Sequence, residues 1–333
     1  MSQLINGAQW LNDSIQVNPW LFCKRQMTMS HKLTSRGWLA LLTCVTLWGS
    51  GFIGIRIALT AYSPSHLALL RFLAASATIL LYAIAARVRP PARKDLPYIL
   101  MTGFVSITVY HVALNMGERT VTGGAASMLV ASAPIFSALL ARLALHERLR
   151  VWGWIGIAIS FVGVALIAIG EEGGVHFNSG AFFVVIAAIA SGISVVLQKH
   201  YLKAYNVNDF STHLICAGTL FLLPFLPGLG TAVRHARLMP TLAVLYIGAF
   251  PAGFAYLTWG YVLKRTPASV AATALYTVPI FAILIGWIVL REVPSQLSIV
   301  GGALAFAGVA MVNTKGHART SIETVVYAAD RGN

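Results

Sequence analysis

The sequence predicts an all-α integral membrane protein of ten transmembrane helices, built as two halves of five that enter the bilayer from opposite faces. Three observations carry that expectation. The first is composition. Of 333 residues, 57% are hydrophobic and 10% charged, against about 25% charged in a soluble domain. The second is an internal repeat. Pro134-Ile135-Phe136 returns as Pro279-Ile280-Phe281, an offset of 145 residues. The same offset carries Glu147 onto Glu292, Gly156 onto Gly301, Phe161 onto Phe306 and Gly163-Val164-Ala165 onto Gly308-Val309-Ala310. The third is the placement of Lys and Arg along the chain, which sets the orientation of the halves.

Ten apolar segments succeed one another over residues 37–59, 64–86, 97–117, 121–145, 151–170, 179–199, 210–228, 241–263, 267–290 and 297–313. A run of about 20 apolar residues spans a bilayer as a helix. A transmembrane barrel would instead alternate polar and apolar residues in segments of about ten, and that pattern is not seen. The connections are short, so sequential helices are antiparallel neighbours. Pro224 and Pro227 are the residues that would end the seventh segment early.

With the N-terminus in the cytoplasm, the inner loops and tails hold 17 Lys and Arg. The outer side holds 4, namely Arg119, Arg234, Arg237 and Arg291. Cytoplasmic loops carry this excess in membrane proteins, so both termini are expected inside, at the cell (inner) membrane. An even helix count results. Five helices per half is odd, so the second half is inverted relative to the first, and the site is expected where the halves meet.

The formal net charge of +14 has the same explanation and calls for no nucleic-acid partner. Three cysteines, Cys23, Cys44 and Cys216, are too few and too scattered for a disulfide framework or a metal site. No Walker-type glycine loop followed by Lys appears. No metal or other cofactor is expected. Residues 1–36 lack the charge, apolar core and cleavage order of a secretory signal and read as a disordered cytoplasmic tail. Met1, Met27 or Met29 are all plausible starts. Residues 314–333 form a short polar cytoplasmic tail.

Particular motifs then narrow the reading. The first helix carries Trp48-Gly-Ser-Gly-Phe-Ile-Gly-Ile-Arg56, and the second opens Pro64-Ser-His-Leu-Ala-Leu-Leu-Arg71-Phe72. The fourth runs from Ala125-Ala-Ser-Met-Leu through Pro134-Ile-Phe to Leu145-His-Glu147-Arg-Leu. In order, spacing and helix count this resembles the EamA-type members of the drug/metabolite transporter superfamily, over residues 37–313. The resemblance implies an EamA repeat at 37–170 and another at 179–313, around a central cavity open alternately to each side. It also implies efflux of small metabolites, amino acids among them. The sixth helix, Ala190-Ser-Gly-Ile-Ser-Val-Val-Leu-Gln198-Lys199, lacks the tryptophan of the first-helix motif.

Candidate binding residues come from polar and aromatic groups at depth. Pro134 and Pro279 sit in mid-helix, where proline costs about 3 kcal/mol and frees the carbonyl four residues back. Both are read as kinks facing the cavity. Arg71 and His111 lie at similar depth, where a charge needs a partner or water. Arg71 either faces an anionic group such as a carboxylate or ties up backbone carbonyls. For His111, a hydrogen-bonded packing role is preferred over a proton shuttle. Trp48 and Tyr276 fall near mid-membrane, away from the interface that Trp and Tyr favour, so the Trp48 N–H needs a partner there. Tyr110, Asn115, Tyr256 and Trp259 complete a set suited to a small molecule.

Other features read as structural. Arg56 lies near the interface and is expected to snorkel. Glu147 and Glu292 each precede a helix N-terminus, whose dipole stabilises them by about 0.3–1 kcal/mol. Lys199 is an interfacial anchor. Gly153, Gly156, Gly163, Gly301, Gly302, Ala305 and Gly308 let helices approach closely, either against neighbours or in a homodimer with another copy. No acidic residue falls at mid-membrane. The expected partners are the lipid bilayer and a small-molecule substrate, and the expected function is secondary export. The alternatives are a passive channel and a membrane-embedded enzyme, although no nucleophile–base pair or paired carboxylates of the catalytic kind are present.

Overall fold

The computed structural model describes residues 35–144, 150–171, 178–201, 205–263 and 275–315. Glu147 and most of both tails lie outside the described residues, as does the Lys199 side chain. Among the described residues there is no strand. The chain is a succession of helices: α1 Ser35–Ala58, α2 Pro64–Ala86, α3 Leu96–Gly103, α4 Tyr110–Gly117, α5 Gly123–Val130, α6 Ala133–Ala144 and α7 Val151–Gly170. Then come α8 Ser179–Tyr201, α9 Val207–Leu222, α10 Leu229–His235, α11 Leu238–Ala249, α12 Ala255–Leu263, α13 Val278–Leu290 and α14 Gln296–Lys315. Among the described residues, seven helical runs are long and apolar enough to cross a membrane, or eight if the bent pair α9–α10 is one span; α13 and α14 are shorter apolar helices. Leu81 and Ile84 are 71% and 76% exposed. With no water in the bilayer core, a helix can present an apolar surface to lipid because its backbone hydrogen bonds are satisfied internally.

Local sequence explains where the helices start and break. The Ser63 side chain accepts the His66 N–H at 3.2 Å while Pro64 fills the first helical position, where its missing N–H costs nothing. Asn206 accepts the Asn208 and Asp209 N–H groups and starts α9. The predicted fourth segment is two helices, α5 and α6, separated by a turn at Ala131-Ser132. Pro134 has no N–H for the Val130 carbonyl, so the helical ladder fails one turn before it. A turn at Tyr276-Thr277 likewise precedes Pro279. The predicted seventh segment ends at Leu222. Pro224, Pro227 and the left-handed Gly228 (φ 82°) then swing the chain by 86° into α10, a helix the sequence pattern did not reveal.

The predicted third and eighth segments are each interrupted by a π-helical turn, Phe104–Val109 and Phe250–Phe254. A π turn carries an extra residue and rotates the remainder of the helix by about 100°. The two turns fall at nearly the same place in the two repeats.

Glycine fixes the packing. A Cβ added at Gly163 would stand 2.4 Å from the Gly301 carbonyl oxygen, and one at Gly156 would stand 2.7 Å from that of Gly308. Backbone therefore meets backbone at both glycine pairs of the α7–α14 contact, and between them the Ser160 hydroxyl donates to the Ala305 carbonyl at 2.9 Å. The small-residue stripes thus face each other within one chain. Contacts elsewhere come in matched pairs. Gly49 of α1 lies against Phe281 of α13, and Gly192 of α8 lies against Phe136 of α6. Gly103 of α3 abuts Ala217 and Gly218 of α9, and Gly248 of α11 abuts the Arg71 carbonyl and Ala74 of α2.

A second set of bonds closes one end of the bundle. The Glu171 carboxylate, after α7, accepts the Thr122 N–H at 2.9 Å and the Thr122 hydroxyl at 2.6 Å. It also accepts the Ser298 hydroxyl at 2.8 Å. Two helix starts, those of α5 and α14, are thereby held to one anion, which their dipoles favour. The carboxylate at a helix start is therefore Glu171, not Glu292. Charge-assisted hydrogen bonds contribute about 1.5–3 kcal/mol each. With water replacing part of that, Glu171→Ala should lower stability by about 2–3 kcal/mol, read as thermal unfolding of purified protein. An unchanged melting temperature would remove Glu171 from this role.

Candidate functional site

A cavity of about 550 Å³ lies between the two sets of helices, lined from α1, α2, α4, α5, α6, α8, α12 and α13 and from both π turns. One wall is aromatic. The Trp48 indole N–H donates to the Pro251 carbonyl at 3.1 Å, which supplies the partner a mid-depth tryptophan needs. Its ring stands edge-on to Tyr256 at 5.9 Å and tilted against Trp259 at 5.4 Å. Trp259 backs this wall without lining the cavity itself. The π turn at Phe250–Phe254 makes the arrangement possible by presenting Pro251 to Trp48 and turning Tyr256 inward.

An adjoining part of the lining is polar on an aromatic bed. The first π turn delivers Tyr110 and His111, whose rings meet edge-on at 4.5 Å. His111 also stacks on Phe72 at 4.5 Å, and the Arg71 guanidinium lies 5.6 Å from the centre of that ring. Arg71 and His111 are both buried, at 5% exposure. Among the described residues, no hydrogen-bond partner reaches Arg71 Nε and Nη1 or the two His111 ring nitrogens. The expectation that His111 is a hydrogen-bonded packing residue is thus corrected: it is held by ring contacts, and its buried nitrogens have no hydrogen-bond partner among the described residues. Arg71 is not tied to backbone carbonyls through Nε or Nη1 either.

Pro134 and Pro279 both line the cavity, with Val130, Ala131, Leu275 and Tyr276 from the turns before them. Asn115 does not. It is fully buried one turn beyond His111, where its amide donates to the Pro64 carbonyl at 3.0 Å and its oxygen has no partner among the described residues. Residues that sequence reasoning missed narrow the other end. Ser106 and Ser194 share a hydrogen bond, Gln198 donates to Ser194 at 2.6 Å, and Ser137 donates to the Gly192 carbonyl at 2.9 Å. Small hydroxyls scattered through apolar helices gave no signal for this, because nothing in their spacing separates a lining residue from a packed one.

Beyond the Arg71 end lie Arg56, Glu118 and Glu292, which do not line the cavity. Arg56, at the end of α1, binds Glu292 after α13 at 2.7 Å and donates to the Glu118 backbone carbonyl at 2.5 Å. It therefore pairs across three elements and does not snorkel. Glu118 itself is fully buried. The lining at the opposite end reaches Ala138 and Gln198, close to the ends of α6 and α8.

Similarity to known proteins gives the family of the chain. The model of the EamA-like transporter family matches the chain twice, at residues 35–169 and 178–314. An uncharacterized transporter, YdfC, of Bacillus subtilis (strain 168) is 39% identical over 306 residues, 92% of this chain and 97% of its own. A probable terminal-alkyne amino-acid exporter of Streptantibioticus cattleyicolor is 36% identical over 285 residues, covering 85% and 95%. An uncharacterized inner membrane transporter, YedA, of Escherichia coli (strain K12) is 24% identical, covering 74% and 80%. A solved crystal structure of another protein aligns with TM-score 0.56 and 20% identity over 84% of this chain and 96% of that one, a likeness of fold. Two family matches that together take in nearly every described helix, and a multi-span apolar bundle enclosing a cavity, lead to one assignment: the chain is a multi-span membrane protein of the EamA-like transporter family.

Proposed function

We propose that this protein is a secondary transporter that exports small carboxylate-bearing metabolites, amino acids or their close relatives, by alternating access. The observation that carries the reading is the buried Arg71 beside His111 in the lining of a largely apolar cavity, with guanidinium nitrogens that have no hydrogen-bond partner among the described residues. A guanidinium in that position matches the bidentate geometry of a carboxylate. Trp48, Tyr110, Tyr256 and Tyr276 offer apolar faces for a side chain, Trp259 holds Trp48 in place, and Asn115 orients the start of α2. The name of the Streptantibioticus relative, a probable amino-acid exporter, points the same way.

The architecture in this proposal is ten transmembrane helices in an inverted 5+5 repeat, with repeats at 37–170 and 179–313 and both termini cytoplasmic. Matched contacts support it. In α7 and α14, Gly156 meets Gly308 while Gly163 meets Gly301. Repeat mates thus exchange partners across an antiparallel crossing, as a two-fold axis in the membrane plane requires. Ser160 and Ala305, themselves repeat mates, touch at its centre. Pro134 and Pro279 are the hinges. In this conformation the Arg56–Glu292 end is closed and the Gln198 end is the cytoplasmic mouth.

The test is counterflow in liposomes, in which trapped unlabelled amino acid drives uptake of labelled amino acid. Saturable exchange is expected, with the matching amino alcohol, which lacks the carboxylate, competing poorly. Arg71→Ala removes a charged hydrogen bond of about 1.5–3 kcal/mol and should raise half-saturation about 10- to 100-fold. It should also erase the preference for acid over alcohol. Unsaturable flux would mean a channel, and unchanged selectivity in Arg71→Ala would remove Arg71 from the site.

A further inference from the structure

Seven of the nine buried side-chain nitrogen and oxygen atoms that lack a protein partner among the described residues belong to Arg71, His111, Asn115 and Glu118. Three of these residues lie along α4 and the residue that ends it, at spacings of four and three. On a helix that spacing makes a single stripe, rising about 10 Å from His111 to Glu118 at 1.5 Å per residue. The stripe begins at the cavity and ends under the Arg56–Glu292 contact.

Glu118 is the unusual member. It is fully buried, and neither carboxylate oxygen has a hydrogen-bond partner among the described residues. It follows the last turn of α4, where the helix dipole disfavours an anion. Arg56 passes beside it but directs its guanidinium to the Glu292 carboxylate and to the backbone carbonyls of Glu118 and Arg119. The other charges acting on Glu118 are Arg71 on α2 and Glu292. Tyr110, on its own helix, also feels its charge. The neighbouring start of α8 meets this helix end with Gly180 and Val184, which are neutral. Burial raises the Glu118 carboxyl well above the ordinary carboxylate range, against the opposing pull of Arg56 and Arg71. An ionised carboxylate left without a partner in such a place is costly, and the group takes up a proton instead.

We infer that Glu118 is a proton-binding site that trades places with Glu292 as the partner of Arg56, so that the closed end of the transporter holds a proton and opening it releases one. The inference rests on the transporter reading above and supplies its coupling ion. In the closed form Arg56 is paired with Glu292 and Glu118 is neutral. On opening, Arg56 leaves Glu292 to water and pairs with Glu118. The O–H bond of Glu118 breaks and its proton passes to water at that face. Charge stays balanced: the bound cation keeps one anion throughout, and one proton is delivered per opening. The stripe through Asn115 and His111 joins this group to the substrate cavity.

The test does not need a substrate. Infrared spectra of the full chain in lipid nanodiscs, titrated with acid and base, should show a protonated carboxyl band persisting near pH 7. An ordinary Glu titrates at about pH 4.3. Glu118→Gln should lose that band. Glu292→Gln frees Arg56, so the band should remain but titrate about one pH unit or more lower. A wild-type protein without the band, or a Glu118→Gln protein that keeps it, would overturn the proton site. An unmoved midpoint in Glu292→Gln would overturn the exchange of partners. If Glu118→Gln does not fold, dicyclohexylcarbodiimide, which modifies protonated carboxyls in apolar surroundings, gives a second measure. Near neutral pH it should modify the wild-type peptide carrying Glu118, and an unmodified peptide would overturn the site. Failure of counterflow with these spectral results intact would instead count against the transporter reading alone.

Discussion

Gly163→Leu should leave no folded protein, whereas Gly230→Leu should behave as wild type. A Cβ at Gly163 would stand 2.4 Å from the Gly301 carbonyl oxygen and 2.5 Å from the Ala305 nitrogen, all of them backbone atoms. Backbone in a helix cannot yield locally, so the larger side chain must push α7 and α14 apart along their length. That would also break the bond from Ser160 to Ala305. Overpacking costs about 1–3 kcal/mol even where side chains can adjust, and here none can. Total stability is about 5–15 kcal/mol, so the loss is severe. At Gly230 nothing lies within 4 Å. Size-exclusion profiles of the two variants, expressed side by side in detergent, are the measurement. A sharp, wild-type peak from Gly163→Leu would mean that α7 and α14 do not pack as described.

Arg56→Glu should reduce transport tenfold or more, and adding Glu292→Arg should recover part of it. The single change sets two carboxylates against each other where a 2.7 Å ion pair stood, and like charges at a contact cost several kcal/mol. The closed end would then be populated far less, and a transporter that cannot close one side cannot alternate. The double change restores an attractive pair with its direction reversed. It does not restore the donation from Arg56 to the Glu118 carbonyl, so recovery should be partial. Counterflow rates in liposomes decide the matter. A double variant as inactive as the single one would show that the pair is not the latch, and a fully active single variant would show that no latch is needed.

How much of this could be read from residues alone differs by feature. The Pro134 and Pro279 breaks were legible, because a missing N–H acts wherever the helix lies. So was the close approach at Gly156, Gly163, Gly301 and Gly308, although not which helices approach. The π turns were not legible. Phe250-Pro251-Ala252-Gly253 contains a proline and a glycine, but Phe104–Val109 contains neither, and the same geometry arises in both. The bend into α10 was only half visible, since Pro224 and Pro227 announce an ending without giving its direction.

The candidate site divides in the same way. Trp48, Arg71, Tyr110, His111, Tyr256 and Tyr276 stand out in sequence because large or polar groups at membrane depth need a reason, and all six line the cavity. Asn115 and Trp259 share that chemistry but stand behind it. Glu118 drew no notice because it falls in a connection, where an acid is ordinary. Only the folded chain buries it under Arg56 and Glu292.

That the chain is a multi-span membrane protein of a duplicated transporter family is legible in its residues alone. Hydrophobicity, repeat spacing and proline breaks are properties of the chain in any arrangement. The tertiary structure alone decided which polar groups meet: Trp48 with Pro251, Arg56 with Glu292, Glu171 with two helix starts, and Glu118 with no partner among the described residues. Those contacts join residues 49 to 236 positions apart. In a bilayer such pairings are set by helix rotation and by close backbone approach, and neither is written in local residue order.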